Sequence, residues 1–172
     1  MRKSAIITLA VAAIIGLGGV ASWAADEQGD PAALARALSE ARIPLEQGLK
    51  ASESVGRPIS AKYELDDGAL QLSVYTMTGA DQFSEVIVDH KTGAVKKREA
   101  ITEGDDLKDA KEQSVAVAMA KIPLGKALGD AVRANSGYRA VSVVPTLKGG
   151  HPVADITLMD GQNVKKVTQK LD

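Results

Sequence analysis

Two kinds of periodicity alternate along the chain, and the alternation happens twice. Leu34, Leu38 and Ala41 recur at helical spacing behind Asp30-Pro31, a capping acid and a proline at the first helical position, where a missing N–H costs nothing. Leu45, Leu49 and Ser52 continue the helical spacing after Pro44. A proline inside a helix would break it, so Pro44 starts a second one. Past Gly56 the period falls to two. Ile59, Ala61, Tyr63 and Leu65 alternate with polar residues as far as an Asp66-Asp67-Gly68 turn. Leu70, Leu72 and Val74 alternate up to Thr78-Gly79-Ala80-Asp81, and Phe83 to Val88 forms a third strand closed by Asp89-His90-Lys91-Thr92-Gly93.

The same order then returns. Ala41-Arg42-Ile43-Pro44-Leu45 recurs 79 residues later as Ala120-Lys121-Ile122-Pro123-Leu124, and Leu49 is matched by Leu128. A helix opens near Asp105-Asp106 and runs to Ala120, and a second carries Leu124, Leu128 and Ala131 toward Gly137. Val141 and Val143 begin an alternation that turns at Gly149-Gly150 and continues through Ala154, Ile156 and Leu158. Asp160-Gly161 is a hairpin signal, and Val164 to Leu171 returns. Each repeat therefore reads helix, helix and three short antiparallel strands. The expected fold is α+β: two repeats, residues 26–101 and 102–172, each packing helices on its own small antiparallel sheet. Their junction falls near Thr102-Glu103-Gly104-Asp105.

That order resembles the PepSY domain. Leu45-Glu46-Gln47-Gly48-Leu49 stands for the family's short amphipathic helix, Leu70 to Tyr75 for its central strand, and Val88-Asp89-His90-Lys91-Thr92-Gly93 for its closing Val-Asp and Thr-Gly signature. The likeness covers residues 43–97 well. The second copy departs at its end, where Leu171-Asp172 stands in place of Val-Asp. PepSY domains occur in propeptides of thermolysin-like metallopeptidases and in many exported or membrane-attached bacterial proteins. The resemblance thus implies a protein-interaction role, with inhibition or regulation of a peptidase as its narrower form. It brings no catalytic residues, cofactor or metal.

Residues 1–24 read as a secretory signal peptide: Arg2 and Lys3, an apolar run from Ala5 to Val20, and small residues Ser22 and Ala24 flanking Trp23. An uncleaved anchor is the alternative, although the run is short for a span. Export to the periplasm or outside the cell is the expected location. Composition narrows the function further. The 172 residues carry a net charge of −1, and loss of Arg2 and Lys3 would leave 19 basic against 22 acidic residues, or −3. Neither balance points to nucleic acid. Aromatic residues are 3% of the chain, too few for a stacking platform, and the absence of cysteine removes disulfides, thiolate metal sites and thiol catalysis.

The remaining candidates have plain structural readings. His90 and His151 fall in turns without a histidine or cysteine nearby, although Asp89 beside His90 could join a metal site. Asp66-Asp67 and Asp105-Asp106 lack the spacing of a calcium loop and suit turns and helix starts. Ser84 has no nucleophile-elbow context. Lys96-Lys97-Arg98 and Lys165-Lys166 lie near closing strands, where lysine guards a sheet edge or meets an acidic partner. The expectation is a non-enzymatic, exported interaction module that binds a protein, with no catalytic, cofactor or metal residues. A small-ligand or metal sensor using the crevice between the repeats is the alternative.

Overall fold

The computed structural model describes residues 30–172, so the expected leader, 1–24, lies outside the described residues. Helix α1 (Pro31–Leu38) opens on Asp30, whose carboxylate accepts the Ala32 N–H at 2.9 Å. Helices α2 (Leu45–Ser52) and α4 (Leu124–Ala134) start directly after Pro44 and Pro123. Between them runs α3 (Gly104–Met119). The strands are β1 (Arg57–Asp66), β2 (Ala69–Thr78), β3 (Gln82–Val88), β4 (Val95–Ile101), β5 (Arg139–Lys148), β6 (His151–Asp160) and β7 (Asn163–Lys170). Asp67 and Gly68 both take positive φ between β1 and β2, the conformation that a two-residue hairpin requires.

The expectation of two separate small sheets is overturned. All seven strands form one antiparallel sheet in the order β4-β3-β2-β1-β5-β6-β7. The halves join where β1 pairs with β5, Ala61 opposite Val143 and Lys62 opposite Ser142. Left apart, each half would expose its first strand as an edge with unpaired backbone groups, and pairing the two edges satisfies both. Alternation along a strand tells which face a residue takes. It does not tell which strand lies beside it.

Two further departures follow from the same limit. β4 pairs with β3, although its run Lys96-Lys97-Arg98-Glu99 carries no apolar alternation to announce a strand. The helices also occupy both faces rather than one. Leu45 and Leu49 of α2 and Leu124 and Leu128 of α4 share a cluster with Ala61, Tyr63, Leu72, Val74, Val143 and Ile156. Tyr75, one residue on from Val74, points the other way, and there it packs with Phe83, Ile59 and α3 residues Ala110 and Val117. Ile59 was expected on the face of Ala61. It interrupts the β1–β2 register between Pro58 and Ser60, and this bulge shifts the phase and places it in the second cluster.

The duplication is visible in the geometry. β1 and β5 correspond residue by residue at a spacing of 82, and the bulge at Ile59 recurs at Val141. The recurring Ala-x-Ile-Pro-Leu segment has one task in both copies. The N–H groups of Arg42 and Ile43 donate to the His90 carbonyl at 2.8 and 3.2 Å, and those of Lys121 and Ile122 donate to the Leu171 carbonyl at 2.6 and 2.9 Å. The segment thus ties the end of the third strand to the start of the second helix, and proline then launches that helix.

A pair of arginines crosses between the halves. Arg57, the first residue of β1, donates to the Val117 carbonyl of α3 at 2.9 Å. Its counterpart Arg139 donates to the carbonyls of Leu38, Ala41 and Ile43 at 3.0, 3.3 and 2.6 Å, and sits 5.2 Å above the Tyr63 ring. Each half therefore adds a donor to carbonyls at the end of the other half's leading helix, where Leu38 and Val117 otherwise accept only the N–H groups of Ala41 and Ala120. Because Leu49 and Leu128 lie in one cluster, Leu49→Ala and Leu128→Ala should each cost about 2–5 kcal/mol and lower a single unfolding transition in urea. Two separate transitions, each answering to only one substitution, would refute the shared core.

Close approach is tuned differently in the two halves. A Cβ at Gly48 would lie 2.8 Å from Cδ2 of Leu72, so glycine lets α2 settle on a large strand residue. The matching positions in the second half hold Ala127 and Ala154, both buried. Gly48→Ala should destabilise by ~1–3 kcal/mol through overpacking. Adding Leu72→Ala should recover part of that loss, so a double-mutant cycle with no coupling would refute the contact.

Candidate interaction surfaces

The sheet ends in two edges, β4 and β7. β4 is exposed along its length except at Ile101, and β7 is exposed at most positions. The basic clusters lie on these edges. Lys96 pairs with Asp89 at 2.8 Å, Lys97 pairs with Glu99 at 2.9 Å, and the Arg98 Nε donates to the Ser84 hydroxyl at 3.1 Å. On the other edge, Lys165 lies 5.8 Å above the Tyr138 ring. The structure does not bring the two clusters together: they border opposite ends of the sheet.

Asp89 shows what the Val-Asp-x-x-Thr-Gly sequence does locally. One carboxylate oxygen accepts the N–H groups of Lys91 and Thr92, both at 2.8 Å, while the other meets Lys96. The Lys96 contact first, and then the two backbone donors, hold its carboxyl well below the usual range. The Asp89 carbonyl accepts the Gly93 N–H, and φ at Gly93 is +79°, which completes the turn. His90 offers its carbonyl to Arg42 and Ile43, and its Nδ1 is enclosed without a hydrogen-bond partner.

His151 differs from the expected isolated turn residue. It opens β6, and its Nδ1 lies 2.8 Å from a carboxylate oxygen of Asp172, which lowers the Asp172 carboxyl. Among the described residues no three histidine, aspartate or glutamate side chains converge into a group that could hold a metal ion. Asp105 and Asp106 lie in the first turn of α3 rather than at its cap, which is Glu103. Asp67 occupies its hairpin turn, and Ser84 is buried in β3.

Sequence reasoning missed a polar patch on the α3 face. An open depression of about 750 Å³ lies over β1, β2, β3 and β4. Lys62 and Glu64 pair in it at 2.6 Å, the Tyr75 hydroxyl donates to Asp106 at 2.7 Å, and the Ser73 hydroxyl donates to Glu85. Burial raises both the Tyr75 phenol and the Glu85 carboxyl, and the Ser73 hydrogen bond opposes it at Glu85. The only signal in the sequence was a polar residue at every second strand position, which also describes a solvated face.

Among the described residues no helix is long and apolar enough to cross a membrane. Set against known protein families, curated proteins and solved structures, the chain matches none of them.

Glu85 gives a testable pH dependence. Its folded pKa is raised, so the stability linked to its protonation is present at low pH and fades as pH rises through the folded pKa. Glu85→Gln keeps an acceptor for Ser73 and removes the charge. It should raise Tm at pH 7 and leave it unchanged near pH 4. An equal effect at both values would show that burial of the charge is not the cause.

Proposed function

We propose that the chain is an exported, non-catalytic interaction protein of PepSY type that takes an extended segment of a partner protein along β4. The observation that carries this reading is an exposed seven-residue edge strand, open on the side away from β3. Such an edge offers backbone donors and acceptors to an added strand. Lys96, Lys97 and Arg98 on that edge favour an acidic segment. Export is supported by the signal-peptide pattern of residues 1–24, which gives a periplasmic or secreted location. The PepSY likeness of residues 43–97 makes a peptidase the partner class to test first.

Adjacent residues in an edge strand point their N–H groups in opposite directions, one toward β3 and one outward. Lys97→Pro and Arg98→Pro therefore make a matched pair, compared by inhibition of a thermolysin-like peptidase and by circular dichroism. One variant should lose stability through the β3 ladder. The other should keep the fold and lose inhibition at least tenfold, while His90→Gln with His151→Gln leaves inhibition unchanged. Full inhibition by the well-folded proline variant, or its loss in the histidine variant, would overturn the edge-binding reading.

A further inference from the structure

The two halves build the same corner twice, where the leading helix gives way to the Ile-Pro segment, and it is filled only once. In the filled corner, Arg139 spans the carbonyls of Leu38, Ala41 and Ile43. Beneath it lies the Tyr63 ring, 1% exposed, with its hydroxyl donating to the Ile43 carbonyl at 2.8 Å. In the other corner Arg57 replaces Arg139, and Val117, Ala120 and Ile122 replace Leu38, Ala41 and Ile43. Of those three carbonyls Arg57 bonds Val117 alone.

The difference has a chemical origin. Pro145 stands at the position of Tyr63, 82 residues on, and proline brings neither a ring of that reach nor a donor. A cavity of about 580 Å³ opens at this corner, floored by Leu49, Pro58, Val117, Ile122, Leu124 and Leu171. That volume lies within the roughly 300–1,000 Å³ typical of small-ligand sites. Glu46, Lys50, Glu53 and Lys121 stand around it, and among the described residues none of the four joins an ion pair.

We propose that this cavity binds a short tyrosyl peptide. Its phenol ring takes the place under Arg57 that Tyr63 takes under Arg139, and its hydroxyl donates to the Ile122 carbonyl. The apolar floor covers the ring, and the peptide's ammonium and carboxylate meet the glutamates and lysines around the cavity. The filled corner is the template for each of these contacts. This site is separate from the β4 edge and does not depend on it.

The test is calorimetric titration of the full chain with Ala-Tyr-Ala and Ala-Phe-Ala. The tyrosyl peptide should bind, and the phenylalanyl peptide should bind about tenfold more weakly, the loss of one hydrogen bond. Gly125 lines the cavity, and a Cβ there would meet nothing within 4 Å, so Gly125→Trp can obstruct the site without a clash. It should abolish binding while circular dichroism stays unchanged. No heat from Ala-Tyr-Ala at millimolar concentration would overturn the proposal. So would equal affinity for the two peptides, or binding that survives Gly125→Trp, which would place the peptide elsewhere, such as on β4.

Discussion

Everything else in this molecule depends on the pairing of β1 with β5. Each half has about the size at which a hydrophobic core barely offsets the entropy of ordering the chain. Joining the two inner strands removes two exposed edges and merges the apolar residues of both halves into one cluster. The join sits at Ala61 opposite Val143, residues in equivalent positions, so each half presents the same strand to the other. That is the logic of a two-fold interface between identical subunits, built here inside one chain. The reciprocal arginines follow from it: a symmetric junction that brings Arg57 to α3 also brings Arg139 to the end of α1.

What the sequence made legible was local. Asp30 before Pro31, proline before α2 and α4, and alternation in β1, β2, β5 and β6 are signals carried by a few neighbouring residues. They report backbone conformation and nothing beyond it. Strand neighbours, the face taken by α3 and the phase shift at Ile59 are set by residues far apart in the chain. β4 escaped notice for another reason. An edge strand packed only at its last residue, Ile101, has no need of apolar alternation, so its sequence looks like a charged linker. The Glu85 patch escaped because a polar residue every second position describes wet and half-buried faces equally well. The repeat itself was readable, and its meaning was only half seen: it marked two copies of a unit but not the interface that makes them one.

Duplication also separates what the fold requires from what a single copy does. The Ile-Pro tie, the bulge and the first-strand arginine occur in both halves, so they belong to the architecture. Gly48 with Leu72 against Ala127 with Ala154 is a compensated difference, in which bulk lost on the helix is gained on the strand. Tyr63 against Pro145 is different in kind. Pro145 carries no hydroxyl to match the one Tyr63 donates, and Arg57, Val117, Ala120 and Ile122 border open space. An uncompensated loss beside an arginine is harder to explain by packing alone, because the lost contacts reduce stability without return.

The open edges pose the opposite problem, since an unpaired strand invites copies of itself. Lysine and arginine on β4, and three lysines on β7, make self-pairing of either edge bring like charges together. The same charges do not oppose an acidic strand. Under the proposed edge binding, edge protection and partner selection would be one device seen from two sides, since repulsion of the wrong partner is half of specificity. Asp89 sharpens the point on β4. Its carboxylate holds Lys96 while also closing the turn before the strand, so the charge beside the edge is positioned by the fold rather than left to a mobile side chain. A strand entering there meets Lys96 at a set place beside the bulge between β3 and β4. Under the proposed edge binding, the register of an added segment would be constrained by charge as well as by backbone hydrogen bonds.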